Sequence, residues 1–246
     1  MESGGLNIRA VICDVYQTLL EVGPPPANAD ARWAALWHRV SGGEPPCSRA
    51  EFDAACAGVV AREHARARER GIAHPEVWWP AVVGEVVPGW HALSPQQRED
   101  LVFEHMQLSR AVRLRPGAAE ALRQLDASGR VLGVASNAQA YTWRELDEAL
   151  AGAGLSRAVF APELCFWSCW HGFSKPDPHV FRLLTARLTA RGIAPAETLM
   201  VGDREDNDLA PARAQGWQTW RLGAVPADGS PGGEWPALLR WLGLSG

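Results

Sequence analysis

The stretch Ala10-Val11-Ile12-Cys13-Asp14-Val15-Tyr16-Gln17-Thr18 decides the fold. Four apolar residues run without alternation and stop at a carboxylate. So short a run reads as a strand buried on both faces, the signature of a parallel sheet. The pattern recurs at 131–135, which ends in Ser136-Asn137, and at 198–201, which ends in Gly202-Asp203. Helical periodicity fills the gaps. Residues 116–128 place Ala118, Ala121, Leu122 and Leu125 on one face, with Pro116 at the start and Gly129 after the end. Residues 179–191 repeat this with Val180, Leu183, Leu184 and Leu188. Strand and helix in alternation predict an α/β fold built on a doubly wound parallel sheet. Ligands of such sheets bind at the carboxyl ends of the strands, so Asp14, Ser136 and Asp203 should converge on one crevice.

Residues 21–110 break the alternation. Gly23-Pro24-Pro25-Pro26 makes a stiff exit, and helical patterns follow at 29–40, 49–70 and 95–110. Arg115-Pro116-Gly117 reads as the return hinge. The expected organisation is an α/β core formed by 1–20 and 111–246, with 21–110 inserted as a helical cap. Arg62, Arg66 and Arg70 recur every fourth residue on the middle helix. That spacing serves a solvated, salt-bridged face, or alternatively an anion-attracting face toward the crevice.

At 246 residues the chain can bury a core without disulfides or a structural metal. Its 47% hydrophobic and 21% charged content is that of an ordinary globular protein. A net charge of −4 disfavours general binding to nucleic acid or to acidic membranes. The first five residues lack the basic-then-apolar order of a signal peptide, and no window approaches about 18 consecutive apolar residues. Five cysteines, an odd number, read as reduced thiols in a cytoplasmic protein. Lys175 is the single lysine beside 23 arginines. An ammonium is a compact point charge that fits where a planar guanidinium does not.

Four segments carry the chemistry: Asp14-Val15-Tyr16-Gln17-Thr18, Ser136-Asn137, Lys175-Pro176-Asp177-Pro178, and Gly202-Asp203 through Asp208. Singly each has a structural reading, as a helix cap, a surface turn or a solvated acidic loop. In this order and at strand ends they resemble the haloacid dehalogenase superfamily, over essentially the whole chain. The resemblance implies a Rossmann-like core with a helical cap, and it makes Asp14 a nucleophile that forms a covalent ester later released by water. It implies that Lys175 supplies the positive charge beside Asp14, and that Thr18, Ser136 and Asn137 bind the transferring group. Asp203 and Asp208, with Asp14 and the backbone carbonyl of Tyr16, would hold Mg²⁺, which favours oxygen ligands. The expected substrate is a small anionic molecule, acted on by a monomer or homodimer.

Two departures pull in opposite directions. Phosphatases of the superfamily carry a second Asp two residues after the nucleophile, to protonate the leaving alcohol and then activate water; here that position is Tyr16. Tyrosine there marks the 2-haloacid dehalogenases, whose halide leaves without a proton. Those enzymes use no metal and lack the acids of the fourth motif, whereas here carboxylates facing Asp14 would repel it without a cation between them. Phe181 also stands where they have a tyrosine, and Gln17 where the family usually has Gly. The expectation is therefore Mg²⁺-dependent hydrolysis of a phosphorylated metabolite with Asp14, Lys175 and Tyr16 in the reaction. Metal-free dehalogenation is the alternative, and a slow or inactive binding module the third reading.

Cys165, Cys169 and His171 hint at zinc, but no fourth ligand stands nearby. An apolar loop with Phe166, Trp167, Trp170 and Phe173, in contact with substrate or cap, is the better reading. Gly-Lys-Ser/Thr phosphate loops and Gly-x-Ser-x-Gly elbows are absent. Arg32 and Arg39, near Trp33 and Trp37, are either surface residues or contacts for an anionic substrate group.

Overall fold

A computed structural model describes residues 7–225 and 227–244; the first residues, read above for a leader, lie outside this range. From the amino end, β1 (Ala10–Cys13) and β2 (Leu20–Gly23) precede four helices: α1 (Ala29–Ser41), α2 (Arg49–Glu69), α3 (Trp79–Val86) and α4 (Pro95–Ser109). The chain returns through β3 (Ala111–Leu114), then α5 (Ala118–Ala127), β4 (Val131–Ser136), α6 (Ala140–Ala151), β5 (Cys165–Trp167) and the short α7 (Ser168–His171). After α8 (Pro178–Ala190) come β6 (Thr198–Gly202), α9 (Ala210–Arg213), β7 (Gln218–Leu222), β8 (Gly232–Gly233) and α10 (Trp235–Trp241).

Six strands form one sheet in the order β5-β4-β1-β6-β7-β8, every pairing parallel. Ala10 lies beside Val131 on one side and Thr198 on the other, so β1 is central. Its alternate residues serve opposite faces, as the pleat requires. Val11 and Cys13 pack with α5, α6 and α10; Ala10 and Ile12 pack with Val180, Phe181, Leu184 and Leu188 of α8. The doubly wound sheet is as the sequence implies. Gly133 makes room inside it, because a Cβ there would lie 2.5 Å from the Leu164 carbonyl oxygen and 2.6 Å from Ile12 Cδ1.

The helices between β2 and β3 have a core of their own, in which Trp33, Leu36 and Trp37 meet Phe52, Cys56, Val82, Val83, Leu101 and Leu108. Local chemistry fixes their starts. Ser48 and Glu51 form a capping box on α2, as do Ser94 and Gln97 on α4, where Pro95 is the first helical residue. Three of the four helices follow the sequence periodicity; α3 is additional. So is the antiparallel ribbon in which β2 pairs with β3, joining both ends of the insertion. Arg62 and Arg66 do form a solvated ion-pair face, with Glu85 and Glu63. Among the described residues no helix is long and apolar enough to cross a membrane.

Candidate active site

The carboxyl end of β1 delivers Asp14, whose N–H still donates to the Val201 carbonyl of β6 at 2.9 Å. The same end of β6 delivers Asp203, and a turn of π-helix, Glu205–Leu209, brings Asp208 back over it. Gly202 permits this return, since a Cβ there would lie 2.6 Å from Asp208 Oδ2. Lys175 Nζ bridges the two loops, 2.7 Å from Asp14 Oδ1 and 2.5 Å from Asp208 Oδ1. Its ammonium is fully buried, where a longer, flat guanidinium would displace its neighbours.

Asn137 holds the lysine in place. Its Nδ2 donates to the Lys175 carbonyl at 2.9 Å and its Oδ1 accepts from the Lys175 N–H at 2.7 Å. The Asn137 side chain is thus committed to Lys175 and not free for a ligand. Thr18 Oγ1 and Ser136 Oγ behave differently: both are buried and neither has a hydrogen-bond partner. Buried hydroxyls are seldom left unpaired, so acceptor atoms of a ligand fit here.

Charge at the site is unbalanced. Oxygens of Asp14, Asp203 and Asp208 lie within 4.8 Å of one another. Three carboxylates face one ammonium, leaving two negative charges in a buried pocket. Burial pushes the Asp14 carboxyl up to about 7 against the pull of Lys175, with Asp208 adding to the rise. Asp203 is raised by burial and then by Asp208. Burial alone would lower the Lys175 ammonium, but Asp14 and Asp208 raise it overall, so it stays charged. An all-oxygen donor set with two surplus negative charges fits Mg²⁺. Among the described residues this is the one such cluster; Cys165, Cys169 and His171 form none, and His171 stacks on Phe166.

The model of the haloacid dehalogenase-like hydrolases matches residues 8–216. The chain belongs to this family. This hydrolase is 32% identical over 123 residues to the phosphoserine phosphatase of Thermus thermophilus, a match covering 50% of the chain and 46% of that protein. It thus spans about half the length of this curated relative. Among solved structures, a 2-haloacid dehalogenase from Pseudomonas syringae pv. tomato superposes with a TM-score of 0.58 at 20% identity, over 95% of this chain and 99% of that one. A HAD phosphatase from Thermococcus onnurineus gives 0.58 at 18% identity, over 97% and 99%. These structures show the fold, and chemistries of both kinds occur on it.

Tyr16 sits two residues after Asp14 in this hydrolase, yet its hydroxyl is engaged elsewhere. It donates to Glu145 Oε2 at 2.5 Å, accepts from Arg110 Nη2 at 2.6 Å, and lies 2.8 Å from Thr142 Oγ1. Burial foremost, together with Glu145, drives the phenol well above its ordinary value despite Arg110. Tyr16, expected to take part in the reaction, therefore has its hydroxyl committed to other partners. The reason is a cation and a carboxylate, Arg110 and Glu145, that claim the hydroxyl. Gln17 adopts φ 61°, and Arg115 Nη1 holds its carbonyl at 2.8 Å. Trp235 Nε1 donates to the next carbonyl, that of Thr18, at 3.2 Å.

Sequence reasoning missed Arg110, Glu145 and Thr142, and also Glu76. The Glu76 carboxylate reaches from the insertion to Ser168 Oγ at 2.7 Å and Gln139 Nε2 at 2.8 Å. A carboxylate on the inward stripe of α6, beside Leu146 and Leu150, was the available signal for Glu145. The aromatic loop contacts the insertion as expected: the Ser174 N–H donates to His74 and the Glu76 N–H to Gly172. Arg32 is exposed and Arg39 pairs with Glu104, while Trp33 and Trp37 are buried within the insertion, so neither arginine joins the site. A cavity of about 610 Å³ opens between the insertion and α6, lined by Trp78, Trp90, Phe103, Tyr141 and Trp143; none of the site carboxylates is on its wall.

Proposed function

We propose that this hydrolase transfers the phosphoryl group of a small anionic metabolite to Asp14 and then to water. The observation that carries this reading is the trio of carboxylates against one ammonium, which calls for a divalent cation. Asp14, Asp203 and Asp208, with the Tyr16 backbone carbonyl, would hold Mg²⁺; bound there, it would keep Asp14 ionised and offset charge on the phosphate. Asp14 attacks phosphorus as a carboxylate. Lys175, fixed by Asn137, lowers repulsion between that carboxylate and the incoming anion. Thr18 and Ser136 hydroxyls donate to phosphoryl oxygens. The insertion, 21–110, acts as a cap, with Glu76 one of its ties to the core. A monomer or homodimer in the cytoplasm, without nucleic-acid or membrane partners, accords with the chain's charge.

One observation favours the other branch. A halide needs no proton, and the Tyr16 hydroxyl has none to give while Glu145 holds it. Hydrolysis of p-nitrophenyl phosphate with Mg²⁺ and with chelator, alongside Asp14→Asn, separates the readings. Turnover that needs both the metal and Asp14 is the expected result. Silence under every metal condition would remove phosphoryl transfer, and halide release from 2-haloacids in chelator would replace it. Metal binding without either activity would leave the binding module.

A further inference from the structure

Residues 74–79 belong to the insertion, yet their hydrogen bonds run to the core. The Ser174 N–H donates to the His74 carbonyl at 2.9 Å and the Glu76 N–H to the Gly172 carbonyl at 3.0 Å, so Pro75 and Phe173 face each other as one antiparallel pair. Beside this pair the Glu76 carboxylate spans two loops. Its Oε2 accepts from Ser168 Oγ at 2.7 Å and its Oε1 from Gln139 Nε2 at 2.8 Å. Gln139 is buried and its amide is in use on both sides: Nε2 also donates to the Val77 carbonyl at 2.8 Å, and Oε1 accepts the Trp79 N–H at 2.9 Å. Among the described residues no cation pairs with Glu76. Its third donor, the Val77 N–H at 2.9 Å, is neutral like the other two.

These bonds matter for where they land. Gln139 lies two residues after Asn137, and Ser174 one residue before Lys175. Ser168 Oγ accepts the Ala138 N–H at 2.8 Å, while Asn137 clamps the Lys175 backbone at both its N–H and its carbonyl. A ring of hydrogen bonds is thereby closed, from His74 to Ser174, Lys175 to Asn137, Ala138 to Ser168, and Ser168 to Glu76. Loops at strand ends are the mobile parts of a fold, whereas a reacting constellation must be held to within about 0.5 Å.

We infer that Glu76 is a positioning residue: through Ser168 and Gln139 it fixes, from the insertion, the two loops that carry Asn137 and Lys175. The charge beside Asp14 is then set only while segment 74–79 is seated on the core. The tie itself stands on the geometry, and its effect on rate rests on the phosphoryl-transfer reading.

The test is a series at position 76 in the full-length, Mg²⁺-loaded protein. It reads kcat and KM on p-nitrophenyl phosphate, and backbone hydrogen exchange by mass spectrometry. Glu76→Ala removes both carboxylate bonds, and its kcat should fall about 10–10²-fold, the scale of a displacement of about 1 Å. Peptides covering 137–139 and 168–175 should exchange faster, while those of β1 and β6 keep the wild-type rate. Glu76→Asp keeps the charge but is one methylene too short, and should lose as much as alanine. Glu76→Gln keeps the reach: its Oε1 accepts from Gln139, and its Nε2 donates to Ser168 Oγ, whose proton turns to the Ala138 carbonyl 3.2 Å away. Glutamine should therefore recover at least about fivefold in kcat over alanine and aspartate, and aspartate against glutamine carries the comparison if alanine does not fold. An active aspartate variant beside an inactive glutamine one would show that the charge acts and not the tie, and would overturn the inference. A folded Glu76→Ala protein with wild-type kcat would also overturn it, even at lower Tm, as the mark of a contact that only stabilises. So would a lower kcat without faster exchange in the two loops, because Glu76 would then act on the substrate directly. Wild-type protein silent on the phosphate would remove phosphoryl transfer and leave exchange to decide the tie. Faster exchange in both loops of Glu76→Ala would then support it, and unchanged exchange would overturn it.

Discussion

Arg110→Met leaves the Glu145 carboxylate buried without its cation. Glu145 is 1% exposed, and its other partners, Tyr16 at 2.5 Å and Gln107 at 2.7 Å, are neutral. Breaking a buried ion pair from one side costs about 3–5 kcal/mol. The two surviving hydrogen bonds, and the 18% exposure of the arginine, put this case at about 3 kcal/mol. At about 2–4 °C per kcal/mol for a chain of this size, Tm should fall by roughly 6–12 °C. Methionine keeps most of the apolar stem, so the loss reports the charge. Urea titration of Arg110→Met, Glu145→Gln and the double variant completes the measurement. The double variant should be more stable than Arg110→Met, because no orphaned charge remains. An Arg110→Met protein within about 0.5 kcal/mol of wild type, the range of an ordinary surface substitution, would refute the buried-pair argument.

Gly202→Ala should abolish calorimetrically measured Mg²⁺ binding, because the new Cβ occupies the space of Asp208 Oδ2 and forces that carboxylate off Lys175; wild-type affinity would show that Asp208 is no ligand. Burial pushes the thiols of Cys56 and Cys169 up to about 12 and that of Cys165 to about 11, from an ordinary 9.0. Above pH 9 the unfolded chain therefore releases protons that the folded one keeps, and urea midpoints should fall as pH rises from 9 toward 11. Lys175, also raised, acts in the same direction above 10.5, so a flat profile would contradict burial of these groups.

The sheet could be read from the sequence because each of its three central strands is an unbroken apolar run ending in a polar group, a pattern that only burial on both faces explains. The outer strands β5 and β7 could not. Cys165–Trp167 is three residues long within an aromatic loop, and Gln218–Leu222 alternates weakly. The eight residues of α3 are too few for periodicity to show. At the site, Asp14, Lys175 and Asp208 were legible because motif order and strand context constrain them together. Asn137 was legible as a participant, but its clamp on the Lys175 backbone depends on how two distant loops meet. Arg110 looked like any of 23 arginines at the end of a solvated helix. Its importance comes from β3 returning beside β2, which carries the arginine to a tyrosine 94 positions earlier in the chain.

The position of β1 also governs when the site can exist during synthesis. Ala10 to Cys13 leave the ribosome well before their neighbours, Val131 to Val134 and Thr198 to Val201. Contacts this distant in sequence form slowly, whereas the helical insertion packs largely against itself. The nascent chain can therefore complete α1–α4 while the first strand still waits, unpaired, for the partners that give Asp14 its surroundings. The first strand of the sheet to be made is thus the last to be enclosed, and any fragment ending before β6 has Asp14 with no pocket around it.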